Sequence, residues 1–228
     1  MRYDARRRSV WITPSTGCTH AIPGSSCDVT IASRLLEHSL VYRLWQLPFA
    51  ERKLAPILRG DDITRARRVL DVGCGPGTNA PHFEGADYLG VDINPAYIEN
   101  ARKRFGRRFL AVDVTEYSAQ DEGKFDFIFV NSLLHHIDTG GVRRLLAHLS
   151  TLLPADGHIH ILDLVMPHDR WSIGGVLARA DRGDSPRPLA EWRELFSEAL
   201  DVVRFEPYSL GVGGVVLWNM VYCKARAR

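Results

Sequence analysis

The chain has 228 residues, enough for one sizeable core and short for two. Apolar residues make up 45% and charged residues 25%, the balance of an ordinary globular protein. A net charge of +2 gives no reason to expect a nucleic-acid partner, and no apolar run approaches the length that spans a bilayer.

Basic residues gather at the ends, Arg2, Arg6, Arg7 and Arg8 at one and Lys224, Arg226 and Arg228 at the other, and read as solvated tails. The stretch from Ser9 to Ser26 is rich in Ser, Thr, Gly and Pro and lacks the apolar segment of a signal peptide. A cytoplasmic location is the default expectation. The four cysteines, Cys18, Cys27, Cys74 and Cys223, match no common ligand spacing, so no metal is expected.

Residues 1–30 read as an irregular arm. Residues 31–228 read as a single domain, with a helical leader over 31–60. Ile31, Leu35, Leu36, Leu40, Val41, Leu44 and Trp45 carry the helical period, which Pro48 ends. A second short helix is expected from Phe49 to Leu58. Then Val69, Leu70 and Val72 give a strand buried on both faces, followed by Gly73-Cys74-Gly75-Pro76-Gly77 and a helix. Glycines at alternate positions let backbone N–H groups approach a ligand at that helix's start.

Further strands are expected at Tyr88–Asp92, Arg108–Asp113, Phe125–Asn131 and His158–Val165. A helix from Ala96 to Phe105 is capped by Asn94 and opened by Pro95. Val142, Leu145, Leu146, Leu149, Leu152 and Leu153 form the stripe of another helix. The alternation predicts an α/β fold, a Rossmann-like doubly wound sheet, mostly parallel, of about seven strands. The strand ends carry Asp71, Asp92, Asp113, Asn131 and Asp163. Residues 166–190 read as a substrate lid, followed by a helix at Leu189–Leu200. The strands Val202–Tyr208 and Val216–Cys223 make an antiparallel hairpin around Gly211-Val212-Gly213-Gly214.

The glycine loop is not a dinucleotide fingerprint, because its third glycine comes one residue early. Asp92 still stands where a ribose diol is accepted. The run Val69 to Gly77 resembles motif I of the class I S-adenosylmethionine-dependent methyltransferases, in their small-molecule, type 11-like branch. The resemblance continues through Leu89–Ile93, Val112-Asp113-Val114, Phe125–Asn131, Leu134–Ile137 and Leu153–Gly157.

It implies S-adenosyl-L-methionine as cofactor and a small-molecule acceptor, with no nucleic-acid partner and no membrane span. Gly73, Cys74, Gly75 and Gly77 would face the methionine portion, and Asp71 would hold its ammonium. Asp92 would accept the ribose hydroxyls and Ile93 would pack on the adenine. Asp113 would accept from the adenine amino group, with the Val114 backbone beside it. Asn131 would lie near the sulfonium. Methyl transfer is an in-line displacement in which the protein mainly aligns the nucleophile. The nucleophile can be O, N or C.

His135 and His136 are the candidates for a general base, or else they orient the loop after the fourth strand. Tyr42, Trp171 and Trp218 are candidates for the acceptor wall, and Arg179 and Arg182 for gripping an acceptor carboxylate or phosphate. The alternatives are core packing for the aromatics and surface ion pairs for the arginines. Competing readings are a non-catalytic cofactor-binding module, a nicotinamide oxidoreductase and a tRNA-modifying methyltransferase.

Overall fold

The computed structural model describes residues 49, 51–118, 123–167, 174–175 and 185–228. By its contacts the chain separates into two units, Met1–Trp45 and Gln46–Arg228, and every described residue belongs to the second.

Seven strands form one sheet: β1 Arg68–Val72, β2 Asp87–Asp92, β3 Arg108–Ala111, β4 Phe127–Asn131, β5 His158–Val165, β6 Asp201–Val212 and β7 Val215–Arg226. Their order is β3-β2-β1-β4-β5-β7-β6. The first five are parallel, and β7 runs antiparallel to both β5 and β6. The order reverses between β1 and β4, so the carboxyl ends of these two strands border the switch point where such sheets take ligands.

The helices are α1 over 51–58, α2 Asp62–Arg65, α3 Pro95–Phe105, α4 Thr139–Thr151 and α5 Leu189–Ala199. Alternation along each strand sorts the core. Leu70, Val72, Ile128 and Val130 pack with Leu145 and Leu149 of α4 and Trp192 and Phe196 of α5. Val69, Tyr88, Phe127 and Phe129 pack with Leu54 and Ile57 of α1 and Ile98 and Ala101 of α3. The sheet is therefore covered on both faces, which is why β4 reads as a nearly continuous apolar run and β1 as one broken by Asp71.

Asn94 caps α3 as the sequence indicates, its side chain accepting from Ala96 N at 3.0 Å and Tyr97 N at 3.4 Å, with Pro95 opening the helix. Asn94→Ala is expected to cost about 1 kcal/mol, read by urea denaturation.

Two expectations are corrected. No helix follows the glycine loop. The segment from β1 to β2 holds only a 3₁₀ turn at Ala80–Phe83, with Pro81 in its first turn. Pro81 lacks an N–H to donate, and β2 begins at Asp87, so the chain has no room for a second turn. The hairpin is longer than expected, with twelve residues in each strand. Its reversal lies at Gly213-Gly214, both at positive φ.

Candidate active site

The loop after β1 is held to β2 rather than to a helix. Cys74 N donates to Val91 O at 3.0 Å, and Gly75 N donates to Asp92 Oδ2 at 2.9 Å. Asn94 N donates to the other oxygen of Asp92 at 2.8 Å. The carboxylate is thus fixed by one N–H on each side, and its remaining lone pairs are available to a diol.

Gly73, Gly75 and Gly77 all have positive φ, at 66°, 52° and 79°. A β-carbon on Gly73 would come within 3.0 Å of Leu133, and one on Gly77 within 2.9 Å of Phe109. A β-carbon on Gly75 would meet nothing within 4 Å, so the loop presents open space there. Cys74 is placed differently from its neighbours. Its carbonyl accepts from Gly77 N at 3.0 Å and its thiol is buried in the core, where burial pushes its pKa well up.

Asp71, on the same face as Val69, is fully buried. Its Oδ2 accepts from Tyr88 Oη at 2.7 Å and from Asn79 Nδ2 at 3.4 Å. Its Oδ1 has no protein partner. Burial raises its pKa to about 7, against the lowering effect of the Tyr88 and Asn79 hydrogen bonds. Asn131, at the end of β4, donates to Asn79 Oδ1 at 3.4 Å, and its own Oδ1 is likewise buried without a partner. A polar chain therefore crosses the switch point from Tyr88 to Asn131. It leaves two acceptor oxygens unsatisfied, a pattern that native proteins show where a ligand binds.

Ile93 is 74% exposed beside Asp92, which leaves its apolar surface open. Asp113 lies beyond β3, which ends at Ala111, and is exposed. It accepts from Thr115 N at 2.9 Å and Thr115 Oγ1 at 2.7 Å, and these bonds hold its pKa below the usual carboxylate value. Val114 is half-buried beside it.

The two histidines differ. His135 is buried, its Nδ1 at 2.6 Å from Asp163 Oδ1. Asp163 also accepts from Leu134 N at 2.8 Å and Leu164 N at 2.7 Å. It is fully buried within β5, so it pins the Leu134–His136 turn and does not join the open edge with Asp92. His136 is exposed, its ring 4.1 Å from that of His135.

The methyltransferase domain family matches residues 69–157. The trans-aconitate 2-methyltransferase of Delftia acidovorans is 30% identical over 188 residues, covering 75% of this chain and 68% of that protein. This chain belongs to the S-adenosylmethionine-dependent methyltransferases.

The enzyme of the same name from Paracidovorax citrulli is 28% identical over 145 residues, covering 61% of this chain and 52% of that one. Against the first such relatives, this methyltransferase spans about half to two thirds of their length. The solved structure of the N-methyltransferase NodS from Bradyrhizobium japonicum WM9, in complex with S-adenosylhomocysteine, superposes with a TM-score of 0.65 at 18% identity. That match covers 87% of this chain and 97% of that one, a likeness of fold.

Of the residues expected to contact the acceptor, Tyr42, Trp171, Arg179 and Arg182 lie outside the described residues. Trp218 is half-buried in β7 and packs edge-on against Phe49, ring centroids 5.2 Å apart, beside Leu164, Leu210 and Met220. A cavity of about 390 Å³ opens at the carboxyl end of β5, lined in part by Val165, Met166, Leu189, Tyr208 and Asn219. That volume suits a small molecule.

Some residues of the site had no signal in the sequence. Lys53 of α1 reaches Ser132 Oγ, immediately after Asn131. Arg187 is 3% exposed and donates to Leu134 O, Ser185 O and Ile137 O, stitching the segment before α5 to the histidine turn. Three carbonyl partners on one buried guanidinium make it a structural clamp.

Proposed function

We propose that the protein transfers a methyl group from S-adenosyl-L-methionine to a small-molecule acceptor in the cytoplasm, releasing S-adenosyl-L-homocysteine. The pair of buried, unpartnered oxygens, Asp71 Oδ1 and Asn131 Oδ1, is the observation that carries the reading. Such atoms are costly in an apolar interior unless a donor satisfies them, and the donor's ammonium is one. The open space at Gly75 and the pinned carboxylate of Asp92 fit the rest of that molecule.

The cofactor brings a methyl group already activated on a sulfonium. The chain has then to position, to exclude water and, for an oxygen or nitrogen nucleophile, to accept a proton. Asp92 takes the ribose hydroxyls, Ile93 covers the adenine and Asp113 with Val114 borders its edge. Asp71 takes the ammonium. Of the two histidines, His136 is the candidate base, because its ring reaches solvent while His135 is enclosed and engaged by Asp163.

Proteins similar to this chain are named trans-aconitate 2-methyltransferases, which supports trying a small polycarboxylate first as acceptor. Incubation with S-adenosylmethionine labelled in its methyl group tests the reading, using trans-aconitate and, in parallel, a fractionated metabolite extract. A labelled small product supports it. Label that appears only in RNA, or nowhere although S-adenosylhomocysteine binds, refutes it.

A further inference from the structure

We propose that Tyr88 is a positioning residue for donor binding: with Asn79 it occupies one oxygen of Asp71, so that the other is left for the ammonium of the donor's amino-acid portion. The inference rests on the methyltransferase reading above and goes beyond it in assigning a role to Tyr88, which lies just outside the runs that carry the resemblance.

Tyr88 lies in β2 opposite Val69, and Gly90 lies opposite Asp71. Tyr88 and Asp71 are therefore diagonal neighbours on one face of the sheet, with no side chain between them at Gly90. The Tyr88 ring is 2% exposed. It stacks on Phe83 at 6.0 Å and meets Phe109 edge-on at 5.6 Å, while the Arg107 guanidinium covers it at 4.9 Å. Phenylalanine would make all three contacts. The hydroxyl alone has its partner in the site, at 2.7 Å from Asp71 Oδ2.

Asn79 reaches the same oxygen at 3.4 Å. Both bonds thus converge on Oδ2, and Oδ1 is left without a protein partner. A carboxylate free to rotate would lose this asymmetry. Tyr88 and Asn79 together fix its plane, and the side of it that a ligand meets.

The same hydroxyl bears on charge. The groups facing Asp71 are Tyr88 and Asn79 as donors, Asp92 as a like charge and Cys74 as a protonated thiol. Arg107 acts only from behind the Tyr88 ring. Burial and Asp92 favour the neutral carboxyl, and the two donors favour the carboxylate. An ammonium needs the carboxylate. Losing the Tyr88 hydroxyl therefore moves donor binding to higher pH.

Calorimetry on Tyr88→Phe from about pH 6 to pH 9 tests this, with two ligands. S-Adenosylhomocysteine carries the amino-acid portion, and 5′-methylthioadenosine lacks it. Tyr88→Phe is expected to bind S-adenosylhomocysteine about tenfold more weakly at pH 7, because without the Tyr88 hydroxyl the Asp71 carboxyl holds its proton to higher pH and loses its fixed plane. The pH at which its binding levels off is expected to rise by about one unit, and methylthioadenosine affinity to stay as in the parent.

Equal weakening of both ligands with an unmoved pH profile would mean a merely structural tyrosine and would overturn the proposal. So would a Tyr88→Phe that binds S-adenosylhomocysteine like the parent. If Tyr88→Phe fails to fold, Asn79→Ala decides by the same two ligands, with the same selectivity expected at smaller size. Failure of the parent to bind either ligand overturns the methyltransferase reading together with this one.

Discussion

Asp92→Ala is expected to weaken S-adenosylhomocysteine binding by about a thousandfold, read by titration calorimetry. The carboxylate accepts from Gly75 N at 2.9 Å and Asn94 N at 2.8 Å, which fixes its plane at the carboxyl end of β2. Two further bonds, from a ribose diol to an ionised acceptor, are each worth about 1.5–3 kcal/mol. Losing both costs on the order of 4 kcal/mol, and each 1.4 kcal/mol is a factor of ten. Asp113→Ala is expected to cost tenfold or less. Asp113 is exposed and its bonds go to Thr115, so much of its work is to form a turn. An Asp92→Ala chain that binds like the parent would remove Asp92 from the site.

Asp71→Asn is expected to have opposite effects on stability and binding. Burial raises the Asp71 pKa to about 7, whereas the ordinary value is 3.8. Between those values the folded chain keeps a proton that the unfolded chain has released. Stability therefore falls as pH rises from about 4 to about 7, by on the order of 4 kcal/mol in full, and stays low above that. Asparagine has no charge to bury. The variant is expected to match the parent near pH 4 and to exceed it by a few kcal/mol at pH 8, measured as the difference in urea denaturation. Its binding of S-adenosylhomocysteine is expected to be weaker and to lose its dependence on pH between about 6 and 8. A difference in stability that is flat across this range would show that the carboxyl is not buried as described.

Such a residue makes ligand binding and chain stability pull against each other. The charge at Asp71 is costly without a cation beside it, and on the proposed reading the donor's ammonium would supply one.

The central strands were legible because both faces are covered. β5 matches its expected bounds, and β1, β2 and β4 differ at their amino ends only. The capped start of α3 was legible because Asn94 and Pro95 act locally. The hairpin was cut short because Ser209 and Gly211 carry no apolar strand signal after Tyr208, which hides a ladder running on to Val212. Gly211 was taken into the turn. It belongs to the strand, where a β-carbon would lie 2.1 Å from Val215 O.

Candidate residues that stand at strand ends, such as Asp92 and Asn131, could be placed at the carboxyl edge of the sheet from their type and position. Pairings could not. Tyr88 with Asp71 depends on the register of β1 against β2, and His135 with Asp163 joins turn to strand across 28 positions. Arg187 meets Leu134 O from 53 positions further along the chain, a pairing that periodicity does not carry.

The attachment of the glycine loop to β2 has a consequence for cooperativity. Cys74 N is bonded to Val91 O and Gly75 N to Asp92, so the glycine loop and the carboxyl end of β2 are one mechanical piece. Opening the loop frees the carboxylate as well. The amide hydrogens of Cys74 and Gly75 should then exchange with solvent at a common rate, set by that single opening, and donor binding should slow both together. Substitutions at Asp71 and Asp92, which on the proposed reading hold different portions of the donor, should not be additive.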